Sequence, residues 1–441
     1  MPKPYVQIAD RLADRILQGA LPVGTRLPPQ RTFAYETGIA VSTASRVYEE
    51  LRRRGLVSGE VGRGTFVCNR FAPLDPSLQE PSGMGIDLDI VFRVGPEARE
   101  RIAHSTGQFF KRGLGEQAVA PPSATVGRSA AEAFAGLMRS DGFALDPAHL
   151  LAAGNGKQAI AAAFSALAPR GGRIAVEAMT YPFAIAVARM LGITLVPLPM
   201  DDAGLEPDAL DRAADAGLDG VYLQPTLQSP LVLTMPEERR RAIARLLQRH
   251  DLIAVEDRVY GFLKPTVPLA AWAPSHVILI DSLSKRLMPG MALGLIGAPP
   301  PFRAALARAL RTGGWMAPSL SVALAEHWTR DGVVAAVEAS KRREAEAMYA
   351  IAREAFAGLS YRGAGDALHS WLDLPKAWRA ESFVAACAAL GIAVATGSAF
   401  AVGTGFCPPG VRIASSATDL QTWRYALGEV SKLARQAPLA G

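Results

Sequence analysis

Short apolar runs alternate with longer, helix-like stretches over the middle of the chain. Helices are expected over 184–190 and 237–249, between runs rich in valine, leucine and isoleucine. Such alternation predicts an α/β domain with a mostly parallel central sheet. The six expected strands contain 174–176, 193–196, 221–223, 252–255, 277–280 and 293–296.

The length of 441 residues exceeds what one ordinary core organises, so two or more domains are expected. A hydrophobic fraction of 49% with 20% charged residues is that of a globular protein. The three cysteines lack metal-ligand spacing, which favours reduced thiols in a cytoplasm and no metal site. Because we recognise neither a signal peptide nor a bilayer-spanning apolar run, we expect a cytoplasmic protein without a membrane partner.

The positive charge is concentrated at the N-terminus. Residues 1–70 hold eleven basic and six acidic residues, so this segment supplies five of the six formal net positive charges. An excess confined to one end of the chain indicates a polyanionic partner for that segment alone.

The same segment has the pattern of a small DNA-binding domain. Apolar residues at helical spacing predict three short helices, the last over about 41–54. Two β-prone runs, 56–58 and 65–67, enclose a glycine-rich turn that carries Arg63, which predicts a basic hairpin, or wing. The third helix is expected to present polar residues where a recognition helix meets base edges: Ser42, Thr43, Ser45 and Arg46.

Three stretches, 24–31, 47–51 and 62–67, closely resemble the signature of GntR-type winged helix-turn-helix regulators. Val41 departs from that family, many of whose members have a polar or basic residue there, so base readout is expected to rely on the helix face and the wing. The alternative is a small packing domain whose basic face is only solvated. Residue by residue, the resemblance implies contacts to a double-stranded DNA operator from Arg31, Ser42, Thr43, Ser45, Arg63 and Gly64.

The pattern loses its periodicity after the predicted wing and collects prolines and glycines, as an interdomain linker does. A helix bearing Ile102 and Phe109 is expected to begin the next domain. We therefore expect a DNA-binding domain over 1–68, a linker over 69–92 and a large domain over 93–441.

Polar residues follow several of the predicted strands, where the ligands of a parallel sheet gather. Asp257 and Tyr260 follow one strand, and Lys285 follows the next. A glycine turn at 154–158 opens a helix, and such a turn can hold a phosphate. A lysine amine, a carboxylate, an aromatic ring and a phosphate turn are what pyridoxal 5′-phosphate needs for its aldehyde, pyridine nitrogen, ring face and phosphate.

Across roughly 95–430, these residues resemble the fold-type I family of pyridoxal-phosphate-dependent aminotransferases. The resemblance implies that Lys285 forms the Schiff base with the cofactor, that Asp257 meets its pyridine nitrogen and that Tyr260 meets its phenolic oxygen. It places Tyr181 on the ring face and implies that Arg412 grips the α-carboxylate of a substrate or effector. The residues implied around the phosphate are Gly156, Lys157, Gln158, Ser282 and Ser284.

Three positions depart from the enzymes of that family. Ser229 replaces an asparagine that supports the cofactor, Ala292 replaces a basic phosphate ligand, and 118–122 replaces a tyrosine-containing segment that reaches the partner subunit's phosphate. Each change removes a hydrogen bond or a charge, a loss on the order of 1–3 kcal/mol. These losses count against efficient transamination more than against the fold.

The two modules in this order resemble the MocR-type branch of the GntR regulators over nearly the whole chain. The resemblance implies a head-to-tail homodimer in which pyridoxal 5′-phosphate, or an amino compound that reacts with it, changes how the DNA-binding domains are presented. Two alternatives remain: a large domain that has lost the cofactor and only dimerises or binds another ligand, or an active aminotransferase.

Overall fold

A computed structural model describes residues 4–17, 20–21, 25–53, 56–60, 64–67, 85–91, 94–403, 407–415 and 419–436. The chain divides into two compact units, 1–79 and 80–441. The division falls inside the expected linker. Within the described ranges, no helix is both long and apolar enough to cross a bilayer.

The first unit contains the three predicted helices and the predicted hairpin. A short strand that we did not predict, β1, pairs antiparallel with β3 and gives a three-stranded sheet in the order β1-β3-β2. The elements are α1 (Pro4–Leu17), β1 (Arg26–Leu27), α2 (Gln30–Thr37), α3 (Val41–Arg53), β2 (Val57–Glu60) and β3 (Gly64–Val67).

Tyr48 of α3 is central to the core of the first unit. Its ring lies 5.2 Å from that of Phe33 in α2, and its hydroxyl donates a 2.6 Å hydrogen bond to the carbonyl oxygen of Pro28. Gly38 ends α2 with a φ of 66°, a left-handed conformation that glycine adopts without strain. These contacts fix α3 by its apolar side, so its polar side stays available.

The second unit is α/β, as predicted. Its helices are α4 (Pro96–Lys111), α5 (Glu116–Val119), α6 (Arg128–Leu137), α7 (Gly156–Leu167), α8 (Pro182–Leu191), α9 (Pro207–Asp215), α10 (Glu237–Arg249), α11 (Leu283–Arg286), α12 (Pro300–Thr312), α13 (Ser319–Arg330), α14 (Val333–Ala355), α15 (Ala380–Ala389) and α16 (Leu420–Arg435). Its strands are β4 (Ile86–Asp87), β5 (Leu150–Ala153), β6 (Arg173–Glu177), β7 (Thr194–Leu198), β8 (Met200–Asp201), β9 (Gly204–Leu205), β10 (Gly220–Leu223), β11 (Ala254–Asp257), β12 (Val277–Ser282), β13 (Gly294–Gly297), β14 (Tyr361–Arg362), β15 (His369–Asp373), β16 (Ile392–Ala393), β17 (Ala395–Thr396) and β18 (Gly410–Ala414).

A seven-stranded sheet organises this unit, in the order β5-β13-β12-β11-β10-β6-β7. Every neighbouring pair from β12 to β7 is parallel, and β13 is antiparallel to both of its neighbours, so the prediction of a mostly parallel sheet is confirmed. The sequence analysis missed β5, a fully buried run that precedes the glycine turn. The carboxyl ends of β10, β11 and β12 meet at one edge of the sheet.

A smaller sheet, β14-β15-β18-β17, packs with α14, α15 and α16 around a second core. Residues 85–91 lie within the expected linker, yet they belong to this unit. β4 pairs with β16 in parallel, and Leu88 is fully buried in the same core. Ile86 and Leu88 alternate with polar residues in a strand pattern, which explains why this stretch is ordered with the second unit.

A buried ion network supports the turn that follows β12. The guanidinium of Arg286 bonds the carboxylate of Asp281 at 2.5 Å and that of Glu338 at 2.5 Å, and it also donates to the carbonyl oxygen of Leu137 at 2.8 Å. Arg286 is 4% exposed and Asp281 is 1% exposed. Removing one member of such a network leaves the others charged and buried.

We predict that Arg286→Met lowers the free energy of unfolding of the second unit by about 3–5 kcal/mol, because two carboxylates lose their partner. The matched change Arg101→Met removes only an exposed pair with Glu97 and is expected to cost less than about 1 kcal/mol. Thermal and urea unfolding of the two variants measures the difference. Equal losses would contradict this role for the network.

Candidate functional site

The exposed side of α3 carries the predicted DNA-contacting residues. Ser42 and Arg46 are exposed, Thr43 and Ser45 are half-buried, and Arg31 is exposed on α2. Val41, the departure from the family pattern, is 47% exposed on the same helix. The first unit thus presents hydroxyls and guanidinium groups around the start of one helix, as a recognition helix does.

Gly64 begins β3, at the end of the wing. Its φ is +123°, and a Cβ there would lie 2.9 Å from Nε of Arg26. The backbone conformation therefore calls for glycine at this position, whereas the flexible Arg26 side chain could move aside. Arg63, the predicted tip of the wing, lies outside the described residues.

In the second unit, Asp257 ends β11 and is 2% exposed. Its carboxylate accepts hydrogen bonds from the Tyr222 hydroxyl at 2.7 Å, from Nε2 of Gln224 at 3.2 Å and from the Val259 amide at 3.2 Å. Burial raises its pKa to about 6, although the bonds from Tyr222, Val259 and Gln224 oppose the shift. The group is thus an oriented carboxylate whose charged form is disfavoured by burial and would be stabilised by a cationic partner.

Lys285 lies on α11, directly after β12. Burial and, to a smaller extent, the charges of Arg412, Lys341 and Lys157 lower the pKa of its amine to about 7, against the attraction of Asp257. Its Nζ donates a 2.9 Å hydrogen bond to the carbonyl oxygen of Val91. About half of the amine is therefore neutral at physiological pH, the form that attacks carbonyl carbon.

The predicted phosphate turn is built as a helix N-terminus. Asn155 caps α7, since its Oδ1 accepts the amide of Gln158 at 2.8 Å. A Cβ on Gly294 would lie 2.4 Å from the carbonyl oxygen of Asn155, and one on Gly156 would lie 3.1 Å from Cβ of Ser282. The turn, β13 and the end of β12 are thus in direct contact, which brings Gly156 and Ser282 together as predicted.

The hydroxyls of the two predicted serines hold the lysine turn together. Ser282 Oγ donates to the carbonyl oxygen of Leu293 at 3.1 Å and accepts the amide of Ser284 at 3.2 Å. Ser284 Oγ lies 3.5 Å from the carbonyl oxygen of Met291. At the start of α7, the Lys157 ammonium lies 4.8 Å from the centre of the Phe183 ring, which belongs to α8.

Tyr181 and Tyr260 share the electrostatic environment of Asp257, and their implied contacts with the cofactor stay predictions. Burial raises the pKa of Tyr181, and the charges of Tyr260 and Asp257 add to this shift. Burial also raises the pKa of Tyr260 to about 12, and its ring lies 5.1 Å from that of His369. Burial lowers the pKa of His369 to about 3, so this imidazole is neutral and its Nε2 donates to the Gln228 carbonyl oxygen at 3.1 Å.

Arg412 lies in β18 and is 8% exposed. Its guanidinium carbon lies 4.9 Å from the centre of the Phe400 ring. One of its nitrogens, Nη2, bonds the Asp89 carboxylate at 3.0 Å and also donates to the Asp89 carbonyl oxygen. Arg412 therefore pairs with a carboxylate of the chain itself, and its implied contact with the carboxylate of an effector stays a prediction.

Pyridoxal 5′-phosphate fits this donor set. Four buried polar atoms around the site have no hydrogen-bond partner among the described residues: Thr180 Oγ1, Ser229 Oγ, His369 Nδ1 and Arg412 Nε. Each such atom costs about 1–3 kcal/mol unless a ligand or water satisfies it. A buried amine, an oriented carboxylate, a helix N-terminus and unsatisfied polar atoms together suit a small anionic ring compound.

Sequence reasoning missed Tyr222, Gln224, His369 and Asp89. Gln224 directly follows β10, so the rule that found Asp257 after β11 would have found it as well. Tyr222 and His369 lie within buried strands, where a polar residue gives no signal of what it faces. Asp89 lies in the stretch assigned to the linker, so nothing in its pattern marked it.

Comparison with known proteins matches both units. The family "Aminotransferase class I and II" matches residues 120–430, and "Bacterial regulatory proteins, gntR family" matches residues 4–67. The first match spans more than half of the chain and indicates pyridoxal 5′-phosphate as the cofactor of the second unit.

Full-length regulators are among the relatives. YdeF of Bacillus subtilis, an HTH-type transcriptional regulator, is 30% identical over 419 residues, which cover 92% of this chain and 88% of that protein. PdxR of Corynebacterium glutamicum, an HTH-type pyridoxine biosynthesis transcriptional regulator, is 23% identical over 304 residues, 67% of this chain and 66% of that one.

Solved structures of aminotransferases share the fold. An archaeal alanine:glyoxylate aminotransferase superposes with a TM-score of 0.73 at 20% identity, over 82% of this chain and 93% of that one. LysN, the α-aminoadipate aminotransferase of Thermus thermophilus, gives a TM-score of 0.71 at 22% identity, over 80% and 92%. With the matches above, these comparisons show that the chain belongs to the gntR family of transcription regulators, in its MocR-type branch, in which a winged helix-turn-helix domain is joined to an aminotransferase-like domain.

Proposed function

We propose that this transcription regulator binds pyridoxal 5′-phosphate through Lys285 and uses it to sense the cofactor itself or an amino compound. One observation carries the proposal: the half-buried Lys285 follows β12 and the buried carboxylate of Asp257 ends the adjacent parallel strand β11, at the same edge of the sheet, where the pKa of the Lys285 amine is lowered to about 7. A solvated lysine keeps a pKa above 10 and stays protonated, so a structural role for Lys285 would not require this environment.

When bound, the cofactor supplies an electrophilic carbon and a ring that withdraws electrons. Lys285 would present its amine to that carbon, and the Asp257 carboxylate would hold a proton at the pyridine nitrogen. Tyr222 and Gln224 donate to Asp257 and so fix its direction. The hydroxyl of Tyr260 is protonated at neutral pH and is available as a donor to a phenolic oxygen.

The start of α7 is the proposed phosphate site. The backbone amides of Gly156 and Lys157 lie at this helix N-terminus, where the partial positive charge of the helix end favours an anion. Ala292 offers no cation to the phosphate. We propose that Lys157, the second residue of α7, supplies the positive charge that Ala292 does not.

Arg412 is the proposed receptor for the carboxylate of the effector. The first unit would contact operator DNA through Arg31, Ser42, Thr43, Ser45, Arg46, Arg63 and Gly64, within a head-to-tail homodimer. Binding at Arg412 and Lys285 would then bias which arrangement of the DNA-binding domains the dimer adopts. The losses at Ser229 and Ala292 favour sensing over efficient turnover.

Lys285→Ala tests the proposal. We expect it to abolish the Schiff-base absorption band that the wild-type protein forms with added pyridoxal 5′-phosphate, because the variant lacks the amine proposed for the covalent attachment. It should also abolish any effect of the cofactor on affinity for DNA fragments selected by the wild-type protein. Lys264→Ala, which removes an exposed amine paired with Asp366, is the matched control. Unchanged absorption and an unchanged response of DNA binding in Lys285→Ala would show the proposal to be wrong.

The uptake of pyridoxal 5′-phosphate should depend on pH through Lys285. Its amine is protonated below about pH 7 and neutral above it, since its pKa is lowered. The rate constant of uptake is therefore expected to rise about tenfold per pH unit up to about pH 7 and to level off above. Stopped-flow absorption measures it. A rise that continues to pH 10 would mean that the amine is solvated like a free lysine.

Lys157→Gln is expected to weaken pyridoxal 5′-phosphate binding about 10- to 100-fold, because a charge-assisted bond to the phosphate is worth roughly 1.5–3 kcal/mol. The affinity for pyridoxal, which lacks the phosphate, should be unchanged. Lys111→Gln, an exposed lysine at the end of α4, controls for net charge. An equal loss for both ligands would assign Lys157 a role other than phosphate binding.

A further inference from the structure

The segment at the start of the second unit, residues 85–91, enters the proposed site. Its first part is anchored: the Ile86 and Leu88 amides donate to the carbonyl oxygens of Gly391 and Ala393 at 2.7 and 2.8 Å. The Leu88 carbonyl oxygen accepts the amide of Ala414, two residues beyond Arg412, at 2.7 Å. The backbone of this segment is thus tied to the strand that carries the carboxylate receptor.

The second part of the segment contacts both Arg412 and Lys285. The Asp89 carboxylate bonds Nη2 of Arg412 at 3.0 Å, and the carbonyl oxygen of Val91 accepts Nζ of Lys285 at 2.9 Å. The two residues proposed to hold the effector and the cofactor are therefore contacted by Asp89 and Val91, which are two positions apart in the chain.

A local turn presents the Asp89 carboxylate. Oδ1 of Asp87 accepts the amides of Asp89 at 2.8 Å and of Ile90 at 3.2 Å, which folds the backbone between them. The Asp89 and Arg412 side chains are 16% and 10% exposed, so the ion pair is largely shielded from water.

The pairing with Arg412 is one that a ligand can replace. Burial raises the pKa of Asp89, and the attraction of Arg412 does not overcome it. Arg412 meets this carboxylate through Nη2, while its buried Nε has no hydrogen-bond partner among the described residues. A ligand carboxylate that engaged two guanidinium nitrogens would form the stronger, bidentate contact.

We infer that Asp89 is an internal competitor for Arg412, so that an effector with a carboxylate must displace segment 85–91, whereas an amine without one need not. The inference rests on the proposed function. Segment 85–91 follows directly in sequence after the chain that leads from the DNA-binding unit. Its release therefore gives a covalent connection from the effector site to the DNA-binding domain. The coupling free energy is set by the difference between the free energies with which the effector carboxylate and the Asp89 carboxylate pair with Arg412.

Two reduced, stable compounds separate the effect of the carboxylate from cofactor binding. N-(5′-phosphopyridoxyl)-L-leucine carries the cofactor ring, its phosphate and a carboxylate, and N-(5′-phosphopyridoxyl)-isopentylamine lacks only the carboxylate. In Asp89→Asn, the leucine compound should bind about tenfold more tightly than to the wild-type protein, because its competitor is uncharged. The isopentylamine compound should bind within about twofold of wild type, and Asp141→Asn, in an exposed turn, should change neither affinity.

Amide hydrogen exchange of the wild-type protein gives a second measurement that needs no variant. The leucine compound is expected to speed exchange of the Ile86 and Leu88 amides, while the isopentylamine compound should leave both protected. Equal protection with both compounds, or the same ratio of affinities in Asp89→Asn and wild type, would overturn the inference and leave the proposed function standing. If the isopentylamine compound did not bind the wild-type protein, the proposed function would fail, and the inference with it.

Discussion

The half-buried Lys285 amine, whose Nζ donates to the Val91 carbonyl oxygen at 2.9 Å, is the group around which the proposed site is arranged. Removing an ammonium from water is costly, and here Arg412, Lys341 and Lys157 add positive charge, while Asp257 opposes them. The protein reduces that cost by letting the amine lose its proton near neutral pH. Such a site also concentrates positive potential, which suits a phosphorylated, carboxylate-bearing ligand.

The sheet explains how these groups meet. Tyr222 and Gln224 from β10, Asp257 from β11 and Lys285 after β12 reach one edge because their strands are parallel neighbours. β13 returns antiparallel, and its Gly294 lies against the turn before α7, so the phosphate site adjoins the lysine turn. The ion pairs of Arg286 with Asp281 and Glu338 stabilise the turn that carries Lys285. Each contact is local, yet the combination depends on strand order.

Much of this was readable from the sequence. The ends of the predicted strands indicate Asp257 and Lys285, and the glycine turn predicts the start of α7. The three helices and the hairpin of the first unit are predictable because their apolar spacing and their turn residues agree. Asp89 was not predictable, because its role depends on β4 pairing with a strand some 300 residues later. His369 and Tyr222 were hidden for a related reason: their strand neighbours, rather than their own pattern, determine what they contact. The six expected strands each contain valine or isoleucine, whereas β5 was missed because its two leucines and two alanines lack a β-branched residue.

Covalent capture tests the central claim most directly. The purified full-length protein is incubated with pyridoxal 5′-phosphate, reduced with borohydride, digested and examined by mass spectrometry. The account predicts one phosphopyridoxyl group per chain, on the peptide that contains Lys285. Labelling spread over exposed lysines, with none on Lys285, would contradict it.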